Sequence, residues 1–404
     1  MVALLWVVAA LNYLDRILLT TMHASLEAAI PMTEAQFGLL SSGFLWVYAF
    51  SSPIAGYLAD RFRRSTVIVV SLLVWSAMTW LTGHAHTYGQ LLTVRALMGI
   101  SEASYLPAAL ALIADYHSTS TRSLATGIHM TGISAGSALG GLGGWMAEQQ
   151  SWHFVFSLFG GIGVAYSLVL CATLRESPHR RVSGAMVGGR APIRVGAVFG
   201  LLWGSAGFRL LLAYWGLLGV VGWLIVGWMP TYLNEQFHLT QGSAGVSSTT
   251  YLQFAALLGG LIGGAWADRW SRANARSPFW VTAIGLALAA PGLLIAGTTS
   301  LLPLAVAGLI LYGLTRYFAD SNLLAMLCVV VPAEGRATGY GLLNCCGCLA
   351  GGIGIYLAGS LRDARIGLGP IFAGAAALAW ISAAIVVWIG WRSLRAEKRR
   401  IARS

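Results

Sequence analysis

The sequence predicts an all-α membrane protein with twelve transmembrane helices in two pseudo-symmetric six-helix bundles. Three observations carry that expectation. The 404-residue chain is 57% hydrophobic and only 10% charged, whereas soluble domains are about a quarter charged; its mean hydropathy is +0.72. Apolar runs near or above the roughly 20 residues that cross a bilayer core recur along the whole chain. Short motifs also repeat in the same order in its two halves. Membrane strands would alternate and be much shorter, which argues against a β-barrel.

Apolar runs and breakers place the spans within 3–28, 34–58, 66–83, 88–115, 121–147, 152–174, 207–233, 243–267, 278–298, 301–331, 335–361 and 370–392. The first run has no basic leader and no A-x-A-like cleavage context, so it reads as helix 1. RESPHRRVSGAMVGGRAPIR, residues 175–194, is basic, contains Pro and Gly, and is the one long polar connection. The expected organisation is therefore an N-terminal bundle over 1–174, a linker over 175–206, a C-terminal bundle over 207–392 and a basic tail over 393–404.

The net charge of +11 would suggest nucleic acid in a soluble domain. Here the cations sit in alternate connections: Arg61, Arg63, Arg64, Arg122, the linker, Arg269, Arg272, Arg276, Arg336 and the tail. The other connections carry Glu27, Glu34, Glu148, Glu235 and a mixed Arg362, Asp363, Arg365. This is an orientation signal, with both termini expected in the cytoplasm and the chain in the cell (inner) membrane. Cys345, Cys346 and Cys348 lie in an apolar, Gly-rich run without a nearby histidine, and read as helix-packing residues. No metal-ligand cluster and no nucleotide-phosphate loop stands out, so neither a metal, a cofactor, ATP drive nor enzymatic activity is expected.

GYLADRFRRS at 56–65 is followed about 208 residues later by GAWADRWSRA at 264–273. RSLATG at 122–127 and RATGYG at 336–341 share R-x-x-x-x-G at an offset of 214. Two ordered matches argue for a duplicated six-helix unit, whose binding site belongs near the midplane. The first loop resembles the G-x-L-x-D-R-x-x-R-R signature of the major facilitator superfamily, matched by Gly56, Leu58, Asp60, Arg61 and Arg64. Gly264, Asp268, Arg269 and Arg272 form a looser second copy. The resemblance implies a cytoplasmic gate in which Asp60 and Arg61 pair with a neighbouring helix end. N-Y-L-D-R in the first span and V-R-A-L-M-G-I-S-E-A in the fourth are similar to the anion:cation symporters, which include sugar-acid carriers. GISEASY at 99–105 and LIADY at 112–116 equally resemble the Spinster-like carriers of lysolipids and sphingolipids. GISAGSALGG at 132–141 approximates an exporter motif, but Ser137 replaces its proline.

Six charges lie inside the expected spans: Asp15, Arg16, Arg95, Glu102, Arg316 and Asp320. Each costs about 2.5–3.5 kcal/mol at a helix centre, so each is expected to face the interior. Arg95 and Glu102 are seven apart and share a helix face, separated by about 10 Å along the axis. Arg316 and Asp320 are four apart and can pair directly. Arg16 is the best candidate for holding a carboxylate, because guanidinium matches it bidentately. Asp15 and Glu102 are candidate proton carriers, with Asp320 as their counterpart in the second half. A carboxyl group in a dry cavity takes a proton more readily than in water, and a neighbouring arginine opposes this. Arg95, Arg316, Tyr48, His129 and Asn344 complete the expected substrate-binding set. The resulting expectation is a monomeric, proton-coupled symporter of a small organic anion. A Spinster-like lysolipid carrier and a non-transporting membrane receptor are the alternatives.

Overall fold

The computed structural model describes residues 1–118, 121–176, 195–332 and 335–401; the side chains of Asp60, Ser123, Ala337, 195–197 and 393–401 also lie outside the description. Every regular element among the described residues is a helix. In chain order these are α1 Val2–Thr21, α2 His23–Ala29, α3 Glu34–Arg61, α4 Arg64–Thr82, α5 Tyr88–Glu102, α6 Tyr105–Tyr116, α7 Arg122–Gly140, α8 Leu142–Gln149 and α9 Trp152–Thr173. They continue with α10 Val195–Gly204, α11 Ala206–Phe237, α12 Gln241–Ser271, α13 Ser277–Thr298, α14 Leu302–Arg316, α15 Phe318–Val330, α16 Arg336–Asp363 and α17 Leu368–Ile401. Among the described residues eleven stretches are long and apolar enough to cross a membrane, with α5–α6 and α14–α15 each counting as one. The expected fifth span is absent from that set. It divides at Gly141 into α7 and α8, and its Gly, Ser and Thr residues dilute its hydropathy. Of the expected linker, 177–194 lies outside the described residues, while 195–204 form α10.

Contacts group the chain into two units. One comprises Met1–Ala191, Val226–Thr250 and Ile355–Ala364; the other comprises Pro192–Ile225, Tyr251–Gly354 and Arg365–Ser404. In the first, α1 packs on α7, α4 on α9 and α3 on α5. In the second, α13 packs on both α14 and α17. Its core gathers Leu202, Phe208, Leu211, Phe279, Leu286, Leu323 and Val386. Large apolar side chains also face outward, among them Phe50 at 69%, Leu168 at 66% and Leu261 at 66% exposure. Such a surface suits lipid rather than water.

Two helix breaks place the charges. Between α5 and α6 the helix is interrupted at Ala103 and Ser104, immediately after Glu102. Pro107 accounts for this, because it has no N–H for the Ala103 carbonyl and its ring collides with that group. In the second half the break falls at Tyr317, immediately after Arg316. Glu102 and Arg316 are 214 positions apart, as are Arg122 and Arg336, the first residues of α7 and α16. The helix boundaries thus repeat in the register of the sequence motifs.

The α1–α7 seam depends on small residues. A Cβ on Gly136 would fall on the backbone carbonyl of Ala10, while Gly132 and Gly140, one turn either side, meet Trp6 and Ile17. A Cβ on Gly127 would meet nothing within 4 Å. Gly136→Ala is therefore expected to cost about 1–3 kcal/mol through overpacking. In detergent-solubilised protein it should lower the thermal midpoint by several degrees, with Gly127→Ala close to wild type; equal midpoints would show that this seam yields.

Candidate functional site

The first unit holds a buried ion pair. The Arg16 Nε on α1 donates to Glu102 Oε2 at the end of α5, at 2.7 Å. Arg16 is 6% and Glu102 1% exposed. Three aromatic rings cage the guanidinium, with its carbon 4.8 Å from the Tyr13 centroid, 5.0 Å from Phe44 and 4.7 Å from Tyr48. Ring faces attract a desolvated cation, which helps hold Arg16 charged in a dry site. Glu102 keeps its second oxygen, Oε1, without a bonded partner, and so does the nearby amide nitrogen of Asn12.

Asp15 and Arg16 diverge as adjacent helical positions must, about 100° apart. The Asp15 carboxyl group faces Thr79 and Trp75 of α4. Its Oδ1 and the Trp75 indole N–H are both buried without a bonded partner. Arg95 reaches α1 through the backbone: it donates to the Asp15 carbonyl oxygen at 3.3 Å, and it lies 5.2 Å from the Phe44 ring. It makes no bond to Glu102 among the described residues. Tyr48 joins the site as part of the cage. His129 is fully buried, its ring 5.9 Å from that of Tyr105, and neither of its nitrogens has a partner.

The second unit carries a matching constellation. Arg316 pairs with Asp320 across the helix break, and its guanidinium lies 4.9 Å from the Tyr317 ring. Arg316 ends α14 and Asp320 lies in the first turn of α15, so each charge complements its local helix dipole. Tyr312 and Tyr214 surround the pair, and the Tyr214 hydroxyl is buried without a partner. Asn344 on α16 is exposed.

The expected gating residues divide. Among the described side chains of this set Arg64 pairs: it binds Asp115 of α6 and donates to the Ala111 carbonyl at 2.7 Å. Glu176 accepts from the Ser65 amide at 3.0 Å and from its hydroxyl at 2.9 Å, at the start of α4. Arg61 is exposed, Gly56 has open space beside it, and the Asp60 side chain lies outside the described residues. Asp268 and Arg269 are exposed and make no ion pair among the described residues. Sequence reasoning missed Asp115, although LIADY contains it. It also missed Tyr13 and Phe44, which no sequence pattern set apart from the other aromatic residues.

A polytopic helical protein with ionic sites buried between its spans has the architecture of a secondary transporter. Residues 5–355 match the family model of the Major Facilitator Superfamily. The chain belongs to that superfamily, and it is a membrane transporter, not an enzyme. It is 28% identical over 283 residues to the D-galactonate transporter of Escherichia coli O6:H1 (strain CFT073), covering 66% of each chain. It is 27% identical over 383 residues to the mouse (Mus musculus) sphingosine-1-phosphate transporter SPNS2, covering 87% of this chain and 68% of that one. The chain thus spans about two thirds of the length of each of these relatives. A bacterial homolog of the human lysosomal transporter Spinster, crystallised inward-facing and unoccupied, superimposes with a TM-score of 0.77 at 21% identity, covering 98% of this chain and 96% of that one.

The buried pair makes a stability prediction. Removing one partner leaves an uncompensated buried charge at about 3–5 kcal/mol, whereas replacing both with apolar residues is close to neutral. Arg16→Met and Glu102→Leu should each lower the thermal midpoint, and the double variant should recover most of the loss. Additive losses would show that the two side chains are not coupled.

Proposed function

We propose that the chain is a proton-coupled symporter of a small organic anion, a sugar acid or related carboxylate, working by alternating access. In this reading it acts as a monomer in the cell (inner) membrane, with both termini cytoplasmic. The observation that carries the reading is the 2.7 Å bond between Arg16 and Glu102 inside the aromatic cage. The strongest carboxylate-binding group of the site is held by a carboxylate of the chain itself. A substrate carboxylate that takes the Nε edge of Arg16 displaces Glu102, and the displaced Glu102 is then a buried anion without its cation. Taking up one proton resolves that. The swap adds one anion and one proton and leaves the net charge of the site unchanged.

A one-for-one swap is driven by the pH gradient alone. One pH unit is worth about 1.4 kcal/mol, or tenfold accumulation. Asp15, on the other side of α1, is the candidate for a second proton, which would add voltage drive at about 2.3 kcal/mol per 100 mV. Arg95 holds α1 in register through the Asp15 carbonyl. Arg316 and Asp320 supply a second arginine–carboxylate pair, in the second half, and Tyr48 and Asn344 serve as polar contacts. His129 serves as a binding residue only if its buried ring becomes accessible during the cycle.

A second reading is a Spinster-like lysolipid carrier. It is favoured by the alignment with SPNS2, which spans more of this chain than the galactonate transporter does. Both readings give Arg16 an anionic head group and differ in what is attached to it.

Uptake into proteoliposomes under an imposed pH gradient separates them. A panel of sugar acids should compete with one another and lysolipids should not; the reverse result selects the lipid reading. Uptake unchanged after collapse of both pH and voltage gradients would rule out proton coupling. Arg16→Ala should weaken binding by about 2 kcal/mol or more, roughly thirtyfold. Glu102→Gln and Asp15→Asn should lose proton-driven accumulation while keeping substrate-for-substrate exchange. A variant that keeps both functions has no part in coupling.

A further inference from the structure

His23, Glu27 and Glu34 converge although no sequence motif links all three. His23 and Glu27 are one turn apart on α2, and Glu34 opens α3. Their potential ligand atoms all lie within 4.8 Å of one another. His23 is 6% exposed. Its ring is pinned by Phe37 at 4.0 Å and Trp228 at 5.9 Å between centroids. It makes no hydrogen bond among the described residues. Its Nε2 lies 3.5 Å from Glu34 Oε2, which is long for a hydrogen bond. That oxygen is itself buried without a bonded partner.

The charge around this point is unbalanced. Glu34 gives its other oxygen to Arg362 at 2.8 Å, and Arg362 also binds Glu235 at 2.6 Å. Asp363 accepts from the Glu34 and Ala35 amides at 2.9 and 3.1 Å. Four carboxylates thus gather here, and Arg362 is the one cation bonded to them among the described residues. Glu27 has no ion-pair partner among these residues.

We propose that His23, Glu27 and Glu34 form a binding site for a divalent transition-metal ion. One imidazole nitrogen and two carboxylate oxygens select zinc-like ions over magnesium and calcium, which prefer all-oxygen sets. Ligands bonded at about 2.0–2.1 Å to a tetrahedral ion stand roughly 3.4 Å apart. A rotation of the exposed Glu27 side chain closes that gap, and water fills the fourth position. Glu34 then bridges the ion and Arg362, one oxygen to each. The ion would tie α2 to α3 beside the ends of α11 and α16, so the site is regulatory in character.

The test uses the full-length protein in detergent with Zn²⁺ alone, and Co²⁺ as a spectroscopic probe. Zn²⁺ should raise the thermal midpoint, and Co²⁺ should give the intense visible bands of a four-coordinate nitrogen–oxygen site. His23→Ala and Glu27→Gln should each weaken binding roughly tenfold or more. Glu27 is exposed, so its variant remains informative if loss of the buried His23 ring impairs folding. Binding unchanged in Glu27→Gln would overturn the proposal, as would binding lost only on replacing His86 and His153, whose rings lie 6.0 Å apart and offer another histidine pair. Neither readout requires a transport substrate, so it stands apart from the symport reading.

Discussion

The arrangement of the first unit depends on one constraint: a guanidinium placed inside a membrane span must be matched by a carboxylate. Arg16 cannot reach water, and the penalty for an unpaired charge at that depth exceeds what the surrounding packing could offset. Glu102 therefore has to arrive at α1 from a different helix. The interruption of the fourth span lets it do so, because α5 ends at Glu102 and α6 resumes after Ala103 and Ser104. Pro107 fixes where the interruption falls. The aromatic cage of Tyr13, Phe44 and Tyr48 then shields the pair without neutralising it. Sequence, helix break, ion pair and cage are thus successive consequences of a single charge.

That chain of causes explains what could be read from the sequence. The six intramembrane charges were legible because charge is rare in apolar runs and each instance demands a reason. The helical class and the repeat register were legible for a similar reason. Apolar length is dictated by the bilayer, and A-D-R and R-x-x-x-x-G recur at helix ends where lipid no longer determines the residue. Pairing partners were only partly legible. Arg316 with Asp320 followed from i,i+4 spacing, but Arg16 with Glu102 joins residues 86 positions apart. Apart from Tyr48, apolar and aromatic residues gave no guidance within a chain of 16 tryptophans, 14 tyrosines and 14 phenylalanines. Tyr48 was already in the expected binding set, whereas Phe44 became a site residue only once α3 was laid against α5. The fifth span shows the opposite failure of a simple rule: Gly132, Gly136 and Gly140 lower its hydropathy because they serve the seam with α1.

The two halves solve the charge problem with opposite assignments. At the end of α5 stands an acid, and at the corresponding end of α14 stands a base. The acid finds its partner on another helix, whereas the base finds its partner four residues along its own chain. A pair within one interrupted span survives rigid-body movement of that span. A pair between α1 and α5 is broken by any displacement of one against the other. Arg16–Glu102 is accordingly the more sensitive of the two to a ligand that competes for the guanidinium, and Arg316–Asp320 the more permanent.

The acidic face of the first unit extends the same logic to a weaker setting. Gln241 bonds Ser25 in both directions at 2.9 Å, and Glu148 accepts from the Gly242 amide at 3.1 Å. Arg362 bridges Glu34 and Glu235, and its guanidinium lies 5.3 Å from the Trp228 ring. Here helix ends from both halves of the sequence are joined by bonds that are individually modest and partly exposed. Such bonds are worth little singly, because water and salt compete for each partner. Their number, not their strength, holds this end together, and removal of one should leave the rest in place. The buried pair has no such redundancy: Arg16 is bonded to one carboxylate, and whatever takes that guanidinium from Glu102 leaves Glu102 without its cation.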